Sequence, residues 1–250
     1  MSEAERVHEA LRTTFERLCG VDAEARYERR GAYDLFVFPR IPVPQFNSVW
    51  PLDDGAVPEL AGALGEIAEL GLPASVQLRR GSTPAVADEA RRLGLAEEHP
   101  LPAMVVQPHE LKATLPPELV VGPVDDEDGL RDAMATATAG FETPPDFFEP
   151  LYTTAAAALE GLTYYVGRVH GVAVSTSVGF TLDATVGIFN VATAPEHRGY
   201  GYGAALTAAA ASNAFANGAD LAWLQSSAMG LSVYRRIGFR EVESYVLLTR

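Results

Sequence analysis

Arg198-Gly199-Tyr200-Gly201-Tyr202-Gly203 sets three glycines at alternate positions behind an arginine, between a β-branched run and an alanine-rich one. Glycine has no Cβ, so backbone amides at such positions can approach an anion closely. The first turn of a following helix adds unpaired N–H groups and the positive end of its dipole. The chemistry this pattern supports is diphosphate binding, with Arg198 adding charge to the phosphates or pinning the loop. A phosphate-free turn is the plain alternative, because glycine clusters also punctuate chains.

A nicotinamide-dinucleotide fingerprint is the nearest rival. Gly199, Gly201 and Ala204 satisfy Gly-x-Gly-x-x-Gly/Ala, and Asp220 lies about twenty residues on. The context is wrong for it. In that fingerprint the glycines follow directly on the first strand and the acid ends the second, whereas here Ala194 to Gly199 intervene and Asp220 precedes its strand. Too little chain follows for a dinucleotide half-fold.

The run from Asn190 to Gly203 resembles the acetyl-coenzyme A motif of the GNAT superfamily of N-acetyltransferases, Arg/Gln-x-x-Gly-x-Gly/Ala, with Arg198, Gly201 and Gly203 in its defined positions. Val233-Tyr234-Arg235-Arg236-Ile237-Gly238-Phe239 resembles that superfamily's second landmark: an aliphatic residue, Tyr, a basic pair, Gly and Phe. The resemblance implies direct attack of a deprotonated amine on a thioester, with Tyr234 as general acid. A phenol near pKa 10 is a fair donor to a thiolate near 8.5. It implies a donor site made of Val191 and Thr193 on the preceding strand, Arg198, Gly199, Tyr200, Gly201, Tyr202, Gly203, and Ser227, which stands where many relatives have Asn. The strand Thr185 to Thr193 has no Glu or Asp, a usual home for the base. Glu142, in the loop between two helices, is the base candidate, beside a water chain and beside its plain reading as a solvated acid.

These residues need elements to hold them. Asp125 to Thr138 reads as a helix opened by acids, and Pro144-Pro145-Asp146 opens a second through about Glu160. Leu162 to Val169, Val172 to Phe180 and Thr185 to Thr193 read as an antiparallel meander whose first turn is His170-Gly171. Ala204 to Ala216 is a helix ending at Asn217-Gly218. Leu221 to Gln225 is a buried strand, Leu231 to Ile237 a short helix stopped by Gly238, and Val242 to Leu248 a last strand. Phe141, Phe147, Phe148, Tyr152, Tyr164 and Tyr165 cluster near the expected acceptor region. Because strand side chains alternate, Tyr164 and Tyr165 must face opposite ways. No Gly-x-Ser-x-Gly nucleophile turn occurs.

The first half reads as a helix over Ala4 to Leu18, strands near Leu35 to Phe38 and Phe46 to Trp50, a helix over Pro58 to Leu70, a strand at Ser75 to Leu78, a helix over Pro84 to Leu93 and a strand at Met104 to Gln107. Its tail repeats the tail of the second half, with Arg91-Arg92-Leu93-Gly94-Leu95 in the place of Arg235-Arg236-Ile237-Gly238-Phe239. It has no glycine loop. The join, about His109 to Pro123, is extended because of Pro116, Pro117 and Pro123. The expected division is residues 1–112, a degenerate partial copy without a cofactor loop, and residues 113–250, the acetyl-CoA-binding catalytic domain. The expected fold class is α/β (α+β): a mixed, mostly antiparallel sheet flanked by helices.

Composition bounds the partners. The formal charge of -14, with Lys112 the only lysine, repels a nucleic-acid backbone and excludes that partner class. The same field would attract a cationic substrate, and its plain reading is a solvated surface that keeps the protein in solution. No apolar run reaches the roughly 18 to 20 residues of a membrane span, and the first twenty residues are amphipathic and acidic, so the expected location is cytoplasmic with no membrane partner. Cys19 is the only cysteine and the five histidines lack ligand spacing, so no disulfide and no metal is expected. The expected reaction is acetyl transfer from acetyl-CoA to a primary amine of a small molecule. Alternatives are a catalytically silent acyl-CoA sensor and a protein lysine acetyltransferase. A homodimer is left open.

Overall fold

The computed structural model describes residues 1–250, Pro145 by its backbone alone. The helices are α1 (Glu3–Cys19), α2 (Val57–Glu69), α3 (Pro84–Arg92), α4 (Glu127–Phe141), α5 (Thr154–Ala157), α6 (Tyr202–Ala216) and α7 (Leu231–Arg236). The strands are β1 (Arg26–Arg30), β2 (Tyr33–Val37), β3 (Asn47–Pro51), β4 (Ser75–Arg79), β5 (Glu97–Val106), β6 (Leu119–Pro123), β7 (Leu162–Val169), β8 (Val172–Leu182), β9 (Thr185–Thr193), β10 (Leu221–Gln225) and β11 (Arg240–Thr249). This is the expected mixed, mostly antiparallel architecture with flanking helices. β3 with β4 and β9 with β10 are parallel pairs, each joined by a crossover helix, as parallel neighbours require.

Contacts divide the chain into two compact units: residues 1–14 with 104–242, and residues 15–103 with 243–250. The dividing points fall inside α1, β5 and β11, so the units do not follow the simple order 1–112 then 113–250. In the second unit β1, β2 and β3 form a meander, β4 lies parallel to β3, and β11 pairs antiparallel with β4. One face of that sheet buries Leu35, Val49, Val76 and Leu248 against Leu60 and Ile67 of α2 and Val86 and Ala90 of α3. In the first unit β6, β7, β8 and β9 run antiparallel and β10 adds in parallel. Its core packs Val174, Val186, Ile188, Ala222 and Leu224 under α6, which presents Ala205, Leu206, Ala210, Ala211 and Ala214. Small side chains let α6 lie close to the sheet, and each fully buried leucine contributes about 1.5–3 kcal/mol.

Three readings need correction. The second helix, expected from Pro144 to Glu160, is instead two 3-10 turns, Pro145–Phe147 and Glu149–Leu151, followed by the four-residue α5. Pro150 removes a backbone donor in mid-segment, and Phe148 and Tyr152 are both buried, which this irregular path permits. β1 and β6 were not anticipated as strands. β1 is Arg-Tyr-Glu-Arg-Arg, a charged strand with no apolar alternation, and β6 ends on Pro123, a residue tolerated at a sheet edge. β5 starts at Glu97, well before Met104; its first residues, Glu97 to Pro100, are exposed and carry no apolar signal of a strand. The hairpin turn fits: His170 and Gly171 both have positive φ, as a type I′ turn demands.

Candidate functional site

The parallel ladder between β9 and β10 joins Thr185–Gly187 to Leu221–Trp223 and goes no further among the described residues, although β9 continues to Thr193. The strands part there for an identifiable reason. β9 carries an extra residue against β8: Thr176 pairs Ala192 and Val178 pairs Phe189, so Asn190 and Val191 together oppose Ser177. Asn190 has φ 48°, and such a bulge bends its strand and strengthens the local twist. Beyond it the Ala194 N–H bonds to the Val174 carbonyl, so by strand alternation the peptide groups of Thr193 and Val191 face away from β8, toward the gap. Val191 thus stands on β9 where the ladder to β10 has ended.

The glycine loop closes the end of that gap. Gly199 and Gly201 have φ 88° and 84°, which other residues adopt only at a cost, and a Cβ at either would stand in open space. Gly201 caps α6 without any side-chain hydrogen bond, and the first amide returned into the helix is that of Ala205, to Gly201 O at 3.0 Å. The N–H groups of Tyr202, Gly203 and Ala204 are therefore those a helix start leaves unpaired. Gly203 faces β9: a Cβ there would lie 3.6 Å from Val191 Cγ1 and 3.5 Å from Thr193 Oγ1. The two tyrosines divide roles. Tyr200 is exposed and stacks on Tyr202 at 5.6 Å, while Tyr202 is buried and donates its hydroxyl to Glu118 at 2.9 Å. Only the backbone of Tyr202 is left for an anion.

Arg198 pins the loop. Its guanidinium donates to the carbonyls of Gly140 at 2.7 Å and Thr193 at 3.4 Å, and Nη2 lies 2.9 Å from Glu142 Oε1. Glu142 is the residue after α4, in the left-handed conformation at φ 55°. Its carboxylate is thus engaged by Arg198, on the rim. Gly140, which sequence reading passed over, holds the end of α4 against β9: a Cβ there would come 2.8 Å from Ala192 Cβ and 3.0 Å from the Thr193 nitrogen. An isolated glycine late in a helical pattern was the one available signal. Thr193 also bonds Ser175 through its hydroxyl, at 2.9 Å.

Tyr234 lies on α7 and packs against the α6 core, with Phe239 at 6.0 Å between ring centroids. Burial pushes its phenol up to about 12. The residue is half-buried, and its hydroxyl makes no hydrogen bond among the described residues. Ser227 is exposed and accepts the Gly230 N–H at 3.3 Å, so its hydroxyl helps shape the turn that leads into α7. Gln225, missed in the sequence, places a buried Nε2 without a partner on β10 just past the end of the ladder.

On the sheet face away from α6, the expected aromatic cluster is continuous. Ring centroids step from Phe141 to Phe148 at 5.4 Å, Phe148 to Tyr152 at 5.8 Å and Tyr152 to Tyr164 at 4.9 Å. Tyr164 donates to the Leu151 carbonyl on this face, whereas Tyr165 turns under α6 and accepts from Asn213 at 2.7 Å. Tyr152 Oη lies beside Asn190 and Thr176 without a hydrogen bond of ordinary geometry to either. Among the described residues no group of three or more His, Cys, Asp or Glu is placed to hold a metal, and no helix is long and apolar enough to cross a membrane.

Comparison with known proteins agrees with this arrangement. Residues 152–242 match the family model described as an acetyltransferase (GNAT) domain. Among solved structures the chain is similar to a GCN5-related N-acetyltransferase from Kribbella flavida, with a TM-score of 0.74, 23% identity, and coverage of 100% of this chain and 96% of that one. It is similar to a GCN5-related N-acetyltransferase from Sphaerobacter thermophilus, with a TM-score of 0.67, 18% identity, and coverage of 88% and 76%. A tandem GNAT protein from the clavulanic acid biosynthesis pathway aligns with a TM-score of 0.60 and 11% identity over 89% of this chain and 80% of that one. At these identities the structures speak for the fold alone. No curated protein matches the chain by sequence.

Proposed function

We propose that this chain, whose residues 152–242 are a GNAT acetyltransferase domain, transfers an acetyl group from acetyl-CoA to a primary amine of a small molecule. The observation that carries the reading is the gap between β9 and β10, which opens past Gly187, with the start of α6 facing Val191 and Thr193 of β9. The fit to the donor is direct. Tyr202, Gly203 and Ala204 N–H groups with the positive-φ backbone of Gly199 and Gly201 would hold a diphosphate. Val191 and Thr193 would pair with a pantetheine arm as a further strand would. Acetyl-CoA, when bound, supplies the acyl group as a thioester.

The general acid is Tyr234. With its pKa raised to about 12 the phenol keeps its proton throughout the working range. Passing that proton to a free thiolate near 8.5 is uphill by roughly 5 kcal/mol, so donation accompanies the growth of charge on sulfur rather than preceding it. The amine's proton leaves by water or by Glu142. The Arg198 pair and the rim position of Glu142 favour the water route. The ring-lined face from Phe148 to Tyr164 suits the body of an amine acceptor. That same engaged carboxylate is the observation in favour of a second reading, a catalytically silent acyl-CoA-binding module.

Calorimetric titration of acetyl-CoA into wild type and Gly201→Glu tests the donor site. Binding by wild type and its loss in the variant are expected, and equal binding by both removes the assignment. Thiol release across an amine panel then separates enzyme from silent module, since the module releases none with any amine.

A further inference from the structure

Glu142 stands in a conformation that a non-glycine residue adopts at a cost, at a helix end where glycine is the usual occupant. What it does there is visible: its carboxylate lies 2.9 Å from Arg198 Nη2, and the same nitrogen donates to Gly140 O at 2.7 Å. The pair thus joins two segments. Arg198 opens the glycine loop, and Glu142 opens the irregular stretch that carries Phe147, Phe148 and Tyr152. Resting on the donor-site reading above, we propose that Glu142 is a positioning residue: it holds Arg198 in the unliganded protein and yields it to the donor's diphosphate, so that donor binding releases the segment after α4.

The magnitudes allow the exchange. Both side chains are about half exposed or more, 47% for Arg198 and 66% for Glu142, and a surface pair of this kind is weak, about fivefold or less in an equilibrium. A diphosphate offers the guanidinium more charge and two-pronged acceptor geometry, so it wins the competition. Until it does, the carboxylate places a negative charge beside the anion site. Glu142 therefore weakens donor and product binding and favours release of the product after transfer.

The test compares CoA with pantetheine, which lacks the diphosphate, in calorimetric titrations of wild type, Glu142→Gln and Glu142→Gly. Both variants are expected to bind CoA about twofold to fivefold more tightly, the change that matches a surface pair, with pantetheine affinity unaltered. Hydrogen exchange of residues 142–152 should quicken on CoA addition in wild type and be fast from the outset in both variants. Unchanged or weakened CoA binding in the variants overturns the proposal, as does an equal shift for pantetheine, which would mark a structural effect without charge competition. Glu142→Gly guards against misfolding, since glycine suits the left-handed position. Wild type that binds neither ligand would instead remove the donor-site reading, and this proposal with it.

Discussion

Tyr234 and Gly201 illustrate how much a single residue's surroundings decide. The phenol is raised to about 12 by burial. The fold therefore favours its neutral form, and that contribution to stability is whole below pH 10 and lost as pH rises through about 12. A kcat profile should show no alkaline loss from this residue between pH 8 and 10. A fall in that window which persists in Tyr234→Phe belongs to another group. Tyr234→Phe itself is expected to lower kcat by a factor on the order of 100 while leaving CoA affinity within about twofold, since general acids contribute in that range. An unchanged kcat would remove Tyr234 as the acid. At Gly201 the φ of 84° penalises any side chain, yet a Cβ meets nothing within 4 Å. Gly201→Ala is thus expected to fold, losing roughly 1–2 kcal/mol by urea denaturation.

At the scale of elements, boundaries that rest on local chemistry were legible and those that rest on packing were not. Asp126 starts α4 by accepting the Gly129 N–H at 2.7 Å, a cap that follows from its type and place before an Ala-rich run. Asp126→Ala should cost about 1 kcal/mol, or a melting temperature lower by about 2–4 °C, with CoA affinity unaltered. A drop in CoA affinity would mean that the far end of α4, at Gly140 and Glu142, moves with its start. The stretch after α4 was misread as a continuous helix because its opening Pro-Pro-Asp is a sound start signal. Burial of Phe148 and Tyr152 against the sheet face outweighed that local preference. The bulge at Asn190 had no signal at all. An inserted strand residue is visible only against its partner, and the partner's register is a tertiary fact.

For the molecule as a whole, the second unit repeats the crossover β3-α2-β4, but carboxylates stand at the 3-10 turn that leads into α2 and at the start of α3. Asp53 accepts the Gly55 N–H at 2.7 Å and Asp54 accepts the Val86 N–H at the start of α3 at 3.1 Å. Carboxylates at these amides exclude a diphosphate by occupancy and by like charge. Calorimetry should therefore return one CoA per chain, and Asp54→Ala should destabilise the fold by about 1 kcal/mol without creating a second site. Two CoA per chain would overturn the reading of the first half as a degenerate copy.

The sequence by itself determined the glycine loop, its helix, the meander before it and the landmark around Tyr234. Each rests on backbone preference or periodicity within a few residues, which the chain carries locally. It also suggested a partial repeat, through the matched helix-glycine-strand endings near Gly94 and Gly238. Only the tertiary structure decided that β9 and β10 part after Gly187, that Arg198 is held by Gly140, Thr193 and Glu142, and that Tyr202 is spent on the core. Those facts depend on which distant segments meet. Burial and pairing across the sheet set them, and no local pattern encodes a partner's position.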